Sequence, residues 1–150
     1  MMHVIHGILT NRCLLCAALA WILSQIIKGI ITSCRDHTWR ISNFIGSGNM
    51  PSSHTGAVIA LALMTGSEKG FDSPLFAVCA VFATIVIYDA AGVRLETEKQ
   101  GKVIKELLDS SVPEKMQLLG DKLKDNVGHT PSEILGGMIV GILCFCLFAL

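Results

Sequence analysis

The sequence is poor in charge: Asp, Glu, Lys and Arg make up 16% of it, against roughly 25% in an average soluble domain. Its 12 basic and 12 acidic residues cancel. No basic stripe interleaved with aromatics occurs, so no nucleic acid is expected as a partner. Six cysteines stand at positions 13, 16, 34, 79, 144 and 146, yet Cys13-x-x-Cys16 has no second Cys or His pair at metal spacing. All six lie in or beside apolar runs and are expected to pack as small buried hydrophobes. Neither an internal repeat nor a low-complexity tract breaks the 150 residues, a length that suits one domain. The start, MMHVIHGILTNR, lacks a charged leader and a small-residue cleavage site, so the first apolar run is expected to be retained.

What the chain does have is apolar length. Hydrophobic residues reach 51% and mean hydropathy is +0.57, more apolar surface than a soluble domain of this size can hide. Four runs carry it: Leu14–Ser33, Pro51–Gly66, Pro74–Tyr88 and Ile134–Leu150. A bilayer core asks for roughly 20 residues per helix. The expectation is therefore an all-α integral membrane bundle of about four transmembrane helices, at 13–33, 51–67, 74–92 and 132–150. Ser67–Ser73 is a short polar connection of the kind that joins antiparallel helices, and Ser73-Pro74 reads as N-cap and first helical residue. Between the third and fourth spans, residues 96–126 hold a surface helical segment. There Val103, Ile104, Leu107 and Leu108 form one stripe, Pro113 breaks it, and Met116, Leu118, Leu119 and Leu123 resume it. An amphipathic hairpin lying on the membrane is expected. Four spans bury a limited core, which favours a homo-oligomer.

If the spans alternate in direction, the end of the first, the start of the second, the end of the third and the start of the fourth share one side. That side collects Lys28 and Arg35, then GSGNMPSSH, then YDAAGVR, then GHTPSE. Of the 12 cations, Lys28 lies within a span, Arg12 and Lys69 fall on the other side, and the remaining nine fall on this one. The positive-inside rule then puts the motif side in the cytoplasm of a cell membrane protein.

The chemistry on that side suits phosphate. GSGNMPSSHTG lies in a 27-residue window, Ile41–Ser67, without one charged residue. A helix N-terminus offers unpaired N–H groups and the positive end of the macrodipole. Gly46 and Gly48 permit close approach, Pro51 starts the helix, Ser52 and Ser53 add donors, and His54 adds a proton near neutral pH. Gln25 and Lys28 share a helix face, and a lysine in an apolar span calls for an anionic partner, a water-filled cavity or a snorkelling route. Asp89 closes the third run with Arg94 five residues on: a simple ion pair, or a carboxylate that orients a histidine beside an arginine that forks onto phosphate. Thr130-Pro131-Ser132-Glu133 has capping-box spacing. His129 precedes it, four residues from Glu133, placed to be held in one tautomer and act as a nucleophile. Gly136, Gly137 and Gly141 suit close helix packing.

PSSH, Lys28-x6-Arg35 and His129-x3-Glu133 resemble the three signatures of the type 2 phosphatidic acid phosphatase and vanadium haloperoxidase superfamily. NMPSSHTG, YDAAGVR and GHTPSEILGG together look most like its compact divergent branch, the acid phosphatase/vanadium-dependent haloperoxidase-related membrane proteins, over nearly the whole chain. The resemblance implies hydrolysis of a lipid phosphate such as phosphatidic acid, phosphatidylglycerol phosphate or a polyprenyl phosphate, without a cofactor. By the same resemblance His129 attacks phosphorus, Glu133 holds its imidazole, and His54 protonates the leaving alkoxide. Lys28, Arg35, Arg94 and the Ser52 and Ser53 amides bind the phosphate oxygens. The sequence departs from the signatures at Ser53 for glycine, Glu133 for aspartate, Asp36 for proline and Leu123 for arginine, so Arg94 has to supply that last cation. Two other readings stay open: a magnesium-dependent phosphatase using Asp89, Glu96 and Glu133, and a lipid-phosphate binding or transport protein without turnover.

Overall fold

The computed structural model describes residues 2–45, 49–111 and 128–150. They form seven helices: α1 (Met2–Leu9), α2 (Arg12–Asp36), α3 (Ser42–Ile45), α4 (Ser53–Lys69), α5 (Pro74–Ala91), α6 (Val93–Ser111) and α7 (Pro131–Ala149). No strand occurs among the described residues. Three of these helices, α2, α5 and α7, are long and apolar enough to cross a membrane. The expected second span is the 17-residue α4. It lies at the centre, packed against α2, α5 and α7.

Local sequence sets the ends. Asn11 caps α2 by accepting the Leu14 amide, Ser73 caps α5 ahead of Pro74, and Thr130 with Glu133 closes the expected capping box on α7. α2 runs three residues past its expected end, to Asp36, and stops where His37 turns left-handed at φ 49°. The sequence reading did not anticipate α1. It buries none of its residues and leaves Val4, Ile5 and Leu9 exposed.

Buried positions recur every fourth residue, the spacing that puts side chains on one helix face. On α2 they are Cys16, Ala20, Ser24, Lys28 and Thr32. On α4, and at the cap before it, they are Ser52, Gly56, Ala60 and Met64. On α7 they are Gly137 and Gly141, with Cys144 one turn on. Where the stripes meet, side chains vanish. A Cβ on Gly137 would stand 2.3 Å from the Ser52 carbonyl oxygen, and one on Gly141 would stand 2.6 Å from that of Gly56. Both glycines are required by approach rather than by conformation, as expected for helix packing in a membrane.

The other faces are inside out by soluble standards. Trp21, Ile22, Ile26 and Ile30 on α2, Val78, Val81, Phe82 and Ile85 on α5, and Leu135, Ile139, Leu143 and Leu147 on α7 are all exposed. Buried polar groups inside a coat of exposed aliphatic ones reverse the soluble pattern, and the chain is a membrane protein. The expected surface segment begins as α6, which follows α5 at Gly92. Val103 and Ile104 are exposed on it, and Lys99 pairs with Glu96 at 3.4 Å. The second arm of the expected hairpin falls outside the described residues.

Candidate active site

Two backbone bonds draw the expected helix ends together. The Ser52 amide donates to the Glu133 carbonyl at 2.9 Å, tying the entrance of α4 to the first turn of α7. The His129 amide donates to the Ala90 carbonyl at 3.1 Å, tying the approach to α7 to the end of α5 beside Asp89. α2 completes the ring: a Cβ on Gly56 would meet the Ser24 hydroxyl at 2.9 Å.

His129 is 3% exposed. Its Nδ1 lies 3.1 Å from Glu133 Oε2, and the same oxygen accepts the Thr130 amide at 3.1 Å. The capping box therefore fixes the carboxylate that faces the imidazole. With Nδ1–H donating to Glu133, Nε2 carries the lone pair, the tautomer a ring nucleophile requires. Lys28 is 2% exposed and its charge interacts attractively with Glu133. Ser53 is buried at the first position of α4, where a helix leaves its amides unused.

Ser52 sits in the cluster in a different capacity from the expected anion donor. Its amide is held by Glu133, and its hydroxyl accepts the Thr55 amide at 3.4 Å and the Thr55 hydroxyl at 2.9 Å. It is the joint between two helices.

The remaining expected residues stand outside this buried group. His54 is exposed although Ser53 and Thr55 are buried, because two residues beyond Ser52 is nearly half a turn round the helix. Arg35 is exposed and pairs with its neighbour Asp36 at 3.0 Å. Seven residues keep it on the Lys28 face but about 10 Å further along the axis. Asp89 is half-buried, one residue before the Ala90 carbonyl that holds His129. The Arg94 side chain, Gly46, Gly48 and Leu123 fall outside the described residues. No group of three His, Cys, Asp or Glu side chains fit to hold a metal occurs among the described residues, so Asp89, Glu96 and Glu133 do not converge as the magnesium reading needs.

Sequence reasoning missed the polar lining above and below Lys28. Ser24 donates to the Ala20 carbonyl at 2.8 Å. Thr32 and Ser33 are buried, and Ser33 accepts from the Asn43 amide nitrogen at 3.1 Å. The Gln25 side-chain oxygen Oε1 is buried with no hydrogen-bond partner among the described residues. The signal was present: 24, 28 and 32 repeat every fourth residue.

A family model described as the Divergent PAP2 family matches residues 9–144. An uncharacterized membrane protein of Bacillus subtilis (strain 168), YuiD, is 37% identical over 150 aligned positions covering 91% of this chain and 92% of that one. No solved structure matches the chain.

Proposed function

From the premise that the chain belongs to the divergent PAP2 family, we propose that it is a lipid-phosphate phosphatase working through His129. The observation that carries this reading is the pairing of buried His129 with Glu133, 3.1 Å apart, at a helix entrance that also buries Lys28 and Ser53. In this reading α4 crosses the membrane as a fourth span, and the motif end faces the cytoplasm on the strength of the cation count.

A phosphate monoester enters with its oxygens toward Lys28 and the first amides of α4. Arg35, released from Asp36, and Arg94 complete the cations. His129 Nε2 attacks phosphorus in line with the ester oxygen. The P–O bond to the lipid breaks as the N–P bond forms, and the alkoxide takes a proton from His54 on the exposed side of the entrance. Glu133 stabilises the charge gained by the imidazole ring. Water then attacks the phosphohistidine, gives a proton to His54, and frees inorganic phosphate and His129. The exposed position of His54 suits this division, because the lipid part of the substrate lies on the bilayer side.

The deciding experiment measures phosphate release by detergent-purified protein from phosphatidic acid, phosphatidylglycerol phosphate and a polyprenyl phosphate, with and without EDTA. We expect EDTA-resistant release that falls at least about a thousandfold in His129→Ala, the scale on which nucleophile removal acts. His54→Ala is expected to lose about a hundredfold or more, the scale of a general acid. EDTA-sensitive release that survives His129→Ala would move the chemistry to a metal. Lipid binding without release from any substrate would make the protein a receptor or carrier.

A further inference from the structure

At the opposite end of the bundle, α1, α2, α4 and α5 enclose a second cleft of about 420 Å³, within the size range of small-molecule sites. Its two halves differ in chemistry. Leu61 and Leu75 supply an apolar wall, while Asn11, Arg12, Glu68 and Lys69 supply a polar rim at the start of α2 and the end of α4.

The rim has a charge asymmetry. Arg12 Nε lies 3.8 Å from Glu68 Oε1, and the Arg12 guanidinium also donates to the Phe148 carbonyl at the end of α7. Arg12 and Glu68 thus neutralise each other and join α2 to α4 and α7. Lys69 is left as a cation in no ion pair among the described residues. Arg12 and Cys13 open α2 after the Asn11 cap, so their first-turn amides have no partner within the helix. An apolar wall below one surplus cation and free first-turn amides fits an amphiphile with an anionic head.

We propose that this cleft binds a phosphate-bearing anion presented as the headgroup of a lipid in the leaflet opposite the candidate active site. The phosphate sits between Lys69 and the start of α2, and the glycerol and first acyl carbons lie against Leu61 and Leu75. The site takes no part in the proposed hydrolysis and stands whether or not that reading holds.

Native mass spectrometry of the full chain in detergent tests this, titrating separately with short-chain phosphatidylglycerol, with the matching diacylglycerol and with inorganic phosphate. We expect phosphatidylglycerol to saturate a site that the other two do not. Lys69→Gln should weaken it about fivefold, the effect of one basic residue facing an anionic surface. Leu75→Trp, placed at a half-exposed position on the cleft wall, should fill the cleft and remove that binding event. His129→Ala should leave it unchanged. Equal binding by inorganic phosphate, or affinity unchanged in both Lys69→Gln and Leu75→Trp proteins that elute and melt like the parent, would overturn the proposal.

Discussion

The two ends of the same helices are built on opposite plans. Toward the start of α2, the four-residue stripes carry Cys16, Ala20, Ala60, Met64 and Cys144, which form an apolar core of buried residues. Toward its other end the same stripes carry Ser24, Lys28, Thr32, Ser52 and Gly56. Register and helix are shared, and only the chemistry changes. A single fold thus supplies a packed apolar half and a polar half that holds buried His129 and Lys28 at a cost. Burying a charge is expensive unless it is paired, and Glu133 is a partner that both groups share.

The largest effect expected from breaking this contrast is at the polar end. Gly137→Ala would set a methyl group 2.3 Å from the Ser52 carbonyl oxygen and 2.9 Å from Thr55 Cβ. Backbone, not a flexible side-chain tip, has to yield. Stability should fall by about 3 kcal/mol, the upper range for overpacking, read as a drop in melting temperature in detergent. Because Ser52 also bonds to the Glu133 carbonyl, phosphate release should fall with it. A Gly137→Ala protein with the parent's melting temperature would contradict the close approach of α4 and α7.

A smaller, purely structural effect is expected at the apolar end. Met64 is 1% exposed and packs within the cluster of Cys16, Ala20, Ala60 and Cys144. Met64→Ala leaves a cavity, but lipid is as apolar as the core, so the water-transfer part of the usual penalty shrinks. The loss should be about 2 kcal/mol, with phosphate release per folded molecule unchanged. Release falling with stability would mean that the two halves are coupled rather than merely continuous.

Much of this contrast was legible in the sequence, though unevenly. The apolar runs located the long helices to within a few residues, since length and composition alone set them: 74–92 was expected and Pro74–Ala91 is helical, 132–150 was expected and Pro131–Ala149 is helical. The capping box and the facing of His129 and Glu133 followed from fixed local spacing. Tertiary choices were harder to read. Nothing in PSSH reveals that the Ser52 amide donates to another helix, although helical rotation does separate His54 from Ser52. Arg35 matched the spacing of a signature, yet axial distance carries it beyond the buried stretch to its neighbour Asp36. α1 went unseen because an eight-residue apolar helix with two histidines has neither span length nor a long periodic pattern.

The smallest expected effect concerns the joint that closes the apolar end. Arg12 and Glu68 are 3.8 Å apart with side chains 53% and 27% exposed, so the pair is screened, and exposed ion pairs of this kind contribute about 0–1 kcal/mol. Glu68→Gln keeps the shape and a hydrogen-bonding oxygen while removing the charge, and stability should fall by less than about 1 kcal/mol. The same change leaves Arg12 and Lys69 both unneutralised at the rim of the second cleft, so phosphatidylglycerol should bind more tightly there. Stability nearly unmoved with anion affinity raised would separate the two roles of this rim, the brace and the receptor. A large loss of stability would instead make the ion pair the main clamp of the apolar end, and the packing of Met64 and its neighbours secondary.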